Sequence, residues 1–238
     1  MAGPLALVGS GEFLAAMEAI DHALLAGATP ADGTAVIVPT ASALEPGMPE
    51  TWAGRGIEHF RDRLRVPAEA ALVLDRAGAD ERFVTLLGSA RLIYFSGGNP
   101  RYLTETVTGT PFWDATLAAW RNGAAIAGCS AGAMMLGAVI QSIVGRGGEP
   151  TQGLGVVPGV SVIPHFDRIE TYRPGAVTAL RQARAAGATL LGIDELTALV
   201  HLEGIWRVMG AGGVTIMSDA GEQICAAGST PSLPAPVP

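Results

Sequence analysis

The chain contains no lysine: all 15 of its basic residues are arginine. Schiff-base catalysis, Ser-Lys chemistry and the lysine of a phosphate-binding loop are thereby excluded. Cysteine is almost absent as well. Cys129 and Cys225 stand without metal-type spacing, so neither a disulfide framework nor a zinc site is indicated, and no cofactor is expected. Aromatic residues make up 5% of a chain that is 49% hydrophobic, so the core must be built mainly from Ala, Val, Leu and Ile. The net charge of −7, with no basic stripe, argues against a nucleic-acid partner. The segment Met1–Gly9 has no positive n-region and turns to glycine too early for a signal peptide, so a cytoplasmic protein is expected. One long uncharged stretch, from Gly123 to Gly145, could span a bilayer by length. Its scattered glycines, together with Cys129, Ser130 and Gln141, and the lack of a basic flank fit a buried strand-turn-helix unit instead, and no membrane partner is expected.

What is present reads as one α/β domain over residues 1–228, followed by an uncharged, proline-rich tail over 229–238 that is expected to be unstructured. Short apolar runs alternate with longer amphipathic ones through the first two-thirds, the pattern of a parallel sheet with crossover helices. The runs predict strands at Leu5–Val8, Ala35–Val38, Ala71–Leu74, Leu92–Phe95, Ala124–Ala127 and Val160–Ile163. Helices are predicted at Phe13–Leu25, Pro49–Leu64, Asp80–Leu87, Pro111–Arg121, Ala131–Ile143 and Gly175–Ala186. Residues Thr189 to Met217 read as hairpin strands. Gly9-Ser10-Gly11 lacks the third glycine of a dinucleotide-binding loop, since Leu14 stands there, and is read as a structural turn.

The chemistry concentrates at Gly128-Cys129-Ser130-Ala131-Gly132, which follows the apolar run 124–127 and precedes a small-residue helical pattern. This is the layout of a nucleophile elbow, with Ser130 on a tight strand-to-helix turn. A serine needs a base, and four histidines are present. His22 and His59 fall inside predicted helices among charged neighbours and read as surface residues. His201 reads as an ordinary strand residue. His165 ends the strand Val160–Ile163, on the rim where carboxyl ends of strands line a ligand crevice, and is the candidate base. The imidazole needs an acid. Glu149, in the loop between the two, would complete a Ser–acid–His order, with Asp167, Asp194 and Glu195 as competing candidates. Oxyanion donors are expected from the amides of Ala131 and of the Gly97-Gly98 loop, with Asn99 beside them.

Four motifs carry a resemblance. Ser96-Gly-Gly-Asn99 with Leu103, Gly128-Cys-Ser-Ala-Gly-Ala133, Gly153–Gly159 leading to Pro164-His-Phe-Asp167, and Gly192-Ile-Asp-Glu-Leu-Thr-Ala198 resemble peptidase family S51. That family contains aspartyl dipeptidases and cyanophycinases and is similar in fold to class I glutamine amidotransferases. The resemblance implies a flavodoxin-like three-layer α/β/α sandwich with a mostly parallel central sheet and C-terminal hairpin strands. It implies Ser130 as nucleophile, His165 as base and Glu149 as acid, with Gly98 and Ala131 around the oxyanion. The implied activity is hydrolysis of peptide or isopeptide bonds next to aspartyl residues, with no cofactor. Asn99, Arg101, Asp167, Arg168 and Arg173 would hold the substrate, a small peptide or isopeptide, and the likeness further suggests a homodimer. Amidotransferases of this fold use a cysteine, but Cys129 lies one position before the elbow centre and is read as a buried packing residue. Two rival readings stand beside this one: an α/β-hydrolase-type esterase, which the short interval from Ser130 to His165 disfavours, and a non-catalytic binding protein on the same fold.

Overall fold

The computed structural model of the chain describes residues 2–142 and 149–237. Its strands are β1 (Leu5–Val8), β2 (Thr34–Val38), β3 (Ala68–Ala70), β4 (Ala90–Phe95), β5 (Ala125–Cys129), β6 (Val139–Ile140), β7 (Thr151–Gln152), β8 (Val160–Ile163), β9 (Thr189–Ile193), β10 (Thr197–Leu202), β11 (Ile205–Gly210), β12 (Gly213–Ser218) and β13 (Gly221–Ala226). The α-helices are α1 (Glu18–Gly27), α2 (Met48–Glu58), α3 (Val84–Gly88), α4 (Pro100–Val107), α5 (Pro111–Arg121), α6 (Ala131–Leu136), α7 (Ile169–Tyr172) and α8 (Ala176–Ala183).

The main sheet has seven strands in the order β11-β10-β1-β5-β4-β2-β3. The run from β1 to β3 is parallel, and β10 and β11 add an antiparallel edge. Alternate residues of each strand serve opposite faces, and both faces are buried, which is why these strands read as continuous apolar runs. Leu5 and Leu7 point into a core shared with α3, α4, α5 and α6. Ala6 and Val8 point into a second core shared with α1 and the end of α2. The result is the expected α/β/α sandwich with a mostly parallel centre. No helix of the described residues is long and apolar enough to cross a membrane.

β5 occupies the middle of the sheet between β1 and β4, with Val8 opposite Cys129 and Phe95 opposite Gly128. The loops after β1 and β4 therefore flank whatever follows β5. Small side chains on β5 let α6 settle close: a Cβ at Gly128 would lie 2.4 Å from the carbonyl carbon of Gly132.

The structure departs from the sequence reading in several places. The strand expected at 71–74 is the short edge strand β3, three residues earlier, because its pairing with β2 uses Ala68–Ala70. The helix after Ser130 stops at Leu136 instead of Ile143. Gly137 there passes so close to β8 that a Cβ would sit 2.8 Å from the Val160 carbonyl oxygen. The chain leaves it extended, and Ala138 N–H donates to Val160 O at 2.7 Å. Helix α4 was not expected at all. Its signal is local: Asn99 caps it, Oδ1 accepting from Tyr102 N–H at 3.0 Å, and Pro100 opens it.

The largest departure concerns topology. β8, expected to adjoin the nucleophile's strand, lies in a separate four-stranded sheet of order β13-β12-β9-β8, and β13 was not anticipated. Its outer core is built by Ile163, Ile169, Leu180, Leu190 and Met217. The tail also differs from expectation, because it is laid down on the body. Trp206 Nε1 donates to Pro234 O at 2.9 Å, and Val237 N–H donates to Val156 O at 2.8 Å.

Candidate active site

Ser130 stands at the tip of β5 with φ 50° and ψ −106°, a conformation that L-residues avoid. Two hydrogen bonds hold it there: its N–H donates to Val8 O at 2.9 Å, and its carbonyl accepts from Met134 N–H at 3.0 Å. The loop after β4 runs directly beside it. A Cβ at Gly97 would lie 3.4 Å from Ser130 Cβ, and one at Gly98 would meet the Ala41 carbonyl at 2.3 Å. Only glycine fits at position 98, where φ is 142°. Ala131 is the first residue of α6, so its amide has no partner within the helix.

His165 emerges just past β8 in the left-handed region, φ 53°. Its Nε2 lies 3.2 Å from Ser130 Oγ, and its Nδ1 lies 3.0 Å from Glu195 Oε1. Serine hydroxyl, imidazole and carboxylate thus form one continuous hydrogen-bonded chain across the two sheets. Strain collects here. Of the six non-glycine residues with positive φ among those described, Phe13, Ser130, His165 and Leu196 all belong to the site or adjoin it.

The expectation for the acid is corrected by this geometry. Glu149 is exposed, and its backbone carbonyl accepts from Arg101 Nη2 at 3.1 Å. The position on Nδ1 belongs to Glu195, one of the competing candidates, which lies after the base in the chain. Its loop is pinned from several sides. Glu195 N–H donates to Asp167 Oδ1 at 2.8 Å, and Thr197 Oγ1 donates to Glu195 O at 3.0 Å. Gly9 allows the loop to approach β1, since a Cβ there would lie 2.1 Å from Asp194 O. Asp167, expected at the substrate, therefore anchors the backbone of Glu195. Arg168 lies 3.8 Å from the carboxylates of both Asp167 and Glu195, not over the cleft floor. Asp194 is turned away, accepting from Gly213 N–H at 2.8 Å.

One buried carboxylate escaped the sequence reading. Glu12, in the loop after β1, accepts from Gly97 N–H at 3.0 Å and from Cys129 Sγ at 2.9 Å. It joins the loop beside the nucleophile to the strand beneath it. Nothing in the pattern Gly9-Ser-Gly-Glu12 marks such a role, because burial is set by the neighbouring strands. Cys129 is fully buried, and that burial, reinforced by the nearby Glu12 carboxylate, pushes its thiol well above the ordinary cysteine value. The nucleophilic thiolate is thereby suppressed.

Two depressions meet at Gly98. The larger, 670 Å³, is lined by Ser130, His165 and Glu12 and extends along Phe13, Trp52 and His59. The smaller is lined by Asn99, Arg101, Gln141, Glu149 and Arg173, so that Asn99, Arg101 and Arg173, expected at the substrate, do come together. His59 is not the surface residue expected. It is 1% exposed in a π-helical turn (His59–Arg63) that continues α2, with Nε2 2.8 Å from Asp21 Oδ2 on α1. Burial raises the Asp21 carboxyl above its ordinary value, against the pull of His59. Among the described residues, no group of three or more His, Cys, Asp or Glu side chains is arranged to hold a metal ion.

The sequence model of peptidase family S51 matches residues 5–208. A crystal structure of a peptidase from an acI-B1 Actinobacterium is similar at 36% identity and TM-score 0.87, covering 98% of each chain. A peptidase E protein from Listeria monocytogenes EGD-e shares the fold at 19% identity and TM-score 0.65, covering 89% of this chain and all of that one. A search of curated proteins finds no match. With the family match running over nearly the whole chain, the protein belongs to peptidase family S51 and is a serine-type peptidase.

Proposed function

We propose that the protein hydrolyses peptide or isopeptide bonds next to aspartyl residues, with Ser130 as nucleophile, His165 as base and Glu195 as the acid. The observation that carries this reading is the unbroken chain from Glu195 Oε1 to His165 Nδ1, 3.0 Å, and from His165 Nε2 to Ser130 Oγ, 3.2 Å. His165 Nε2 takes the hydroxyl proton as Oγ attacks the carbonyl carbon. Glu195 accepts from Nδ1–H, fixes the tautomer and stabilises the imidazolium. The amides of Ala131 and Gly98 receive the oxyanion. Nε2 then gives its proton to the departing amine, and a water molecule, deprotonated by the same nitrogen, clears the acyl-enzyme.

The aspartyl preference is supported by the smaller depression on the far side of Gly98. Arg101 and Arg173 line it, and a guanidinium fork suits a carboxylate. Glu149 contributes there through its carbonyl, which holds Arg101 in place. The test is turnover of a panel of Asp-Xaa dipeptides and β-aspartyl peptides by wild type and Ser130→Ala. The variant is expected to lose about 10⁴-fold or more in kcat. Full activity in Ser130→Ala would refute the mechanism, and indifference to the aspartyl side chain would refute the preference.

A further inference from the structure

The cavity that contains Ser130 and His165 is larger than the chemistry requires. The imidazole that takes the serine proton must hand it to the departing nitrogen, so the leaving part of the substrate has to lie on the His165 side. His165 lines the larger cavity and is absent from the smaller one. The acyl part and the leaving part are thereby assigned to opposite sides of Gly98. At 670 Å³ the leaving side has the size of a site for a small organic molecule.

Its walls are apolar and stiff. Phe13 packs against Trp52 with ring centroids 6.4 Å apart and against Tyr94 at 5.0 Å. Leu14, which also lines the cavity, is 53% exposed. The charges around the rim are mixed, Glu45 and Glu58 against Arg55 and Arg63, so no single sign of field selects a charged side chain. Arg55 is drawn over the Trp52 ring at 5.0 Å, extending that flat wall. His59 also lines the cavity, its Nε2 held by Asp21 at 2.8 Å.

We infer that this cavity is the leaving-group subsite and that it selects a large apolar residue, held between Phe13, Leu14 and Trp52. The inference rests on the reading of Ser130 as an activated nucleophile. The experiment compares kcat/KM for aspartyl-phenylalanine and aspartyl-glycine in wild type and Trp52→Ala. The two substrates share an acyl part, so a folding defect lowers both and cancels in the ratio. Wild type is expected to favour the phenylalanine substrate, and Trp52→Ala to reduce that ratio about tenfold through KM. A ratio untouched by Trp52→Ala would overturn the subsite.

A second readout uses only the wild type: the rate at which a fluorophosphonate labels Ser130, with free phenylalanine or free glycine present. Phenylalanine is expected to slow labelling and glycine not. Equal effects would overturn the subsite even if neither dipeptide is cleaved, a result that by itself would overturn only the aspartyl preference. A wild-type Ser130 that takes no label would refute the activated serine and the subsite with it.

Discussion

At the scale of single residues, the two acids once in competition make opposite predictions. Glu195→Gln removes the acceptor for His165 Nδ1–H, 3.0 Å away, and should lower kcat about 10³- to 10⁴-fold with little change in KM. Glu149→Gln keeps the carbonyl that Arg101 uses and should leave kcat within about twofold. Steady-state assays of both variants on one aspartyl dipeptide decide the matter. The serine and histidine that the fold brings together were legible because glycine spacing and strand-end position are local signals. The carboxylate on the imidazole was not, because its place depends on how the turn between β9 and β10 meets β1, through Gly9 and Ser10. The chain-order argument favoured a carboxylate between Ser130 and His165, whereas the fold brings one from beyond both. Cys129 gives a further test. Burial lifts the thiols of Cys129 and Cys225 above their ordinary value, so both should resist iodoacetamide at pH 8 in the native protein and react once it is unfolded. Thiol counting by mass spectrometry reads this directly.

At the scale of elements, the elbow depends on the close approach of β5 and α6. Gly128→Ala would place a methyl group 2.4 Å from the backbone of Gly132, and neither side can yield without moving its strand or helix. The change should cost about 1–3 kcal/mol of stability in urea unfolding and reduce turnover, since the helix that offers the Ala131 amide is the element displaced. The parallel strands were recognised from their apolar runs because both faces of the sheet are covered. The helix after Ser130 was overextended by reading small residues as uninterrupted helix. Its true end is dictated by a distant neighbour, the Val160 carbonyl beside Gly137. His59 was misread for a related reason. Charged neighbours in sequence suggest a surface position, yet the π-helical turn rotates the imidazole inward onto Asp21.

At the scale of the whole molecule, the terminal segment is a contact surface in its own right. Leu233 packs on the main core, and hydrogen bonds from Trp206 and Val237 tie residues 234–237 to β11 and to the approach to β8. Deleting residues 231–238 should lower the unfolding free energy by about 1–3 kcal/mol, read as a fall in the urea midpoint. Composition alone pointed to an unstructured tail, because a proline-rich, uncharged stretch carries no pattern that announces a docking partner. The partition into two sheets was equally hidden, since apolar runs identify strands without saying which sheet each will join. That partition has a functional consequence. The serine is carried by one sheet and its imidazole by the other, so turnover gauges how well the two are seated against each other. Gentle heating or low denaturant that loosens this seam should silence the enzyme while the far-ultraviolet signal of its helices and strands is still intact.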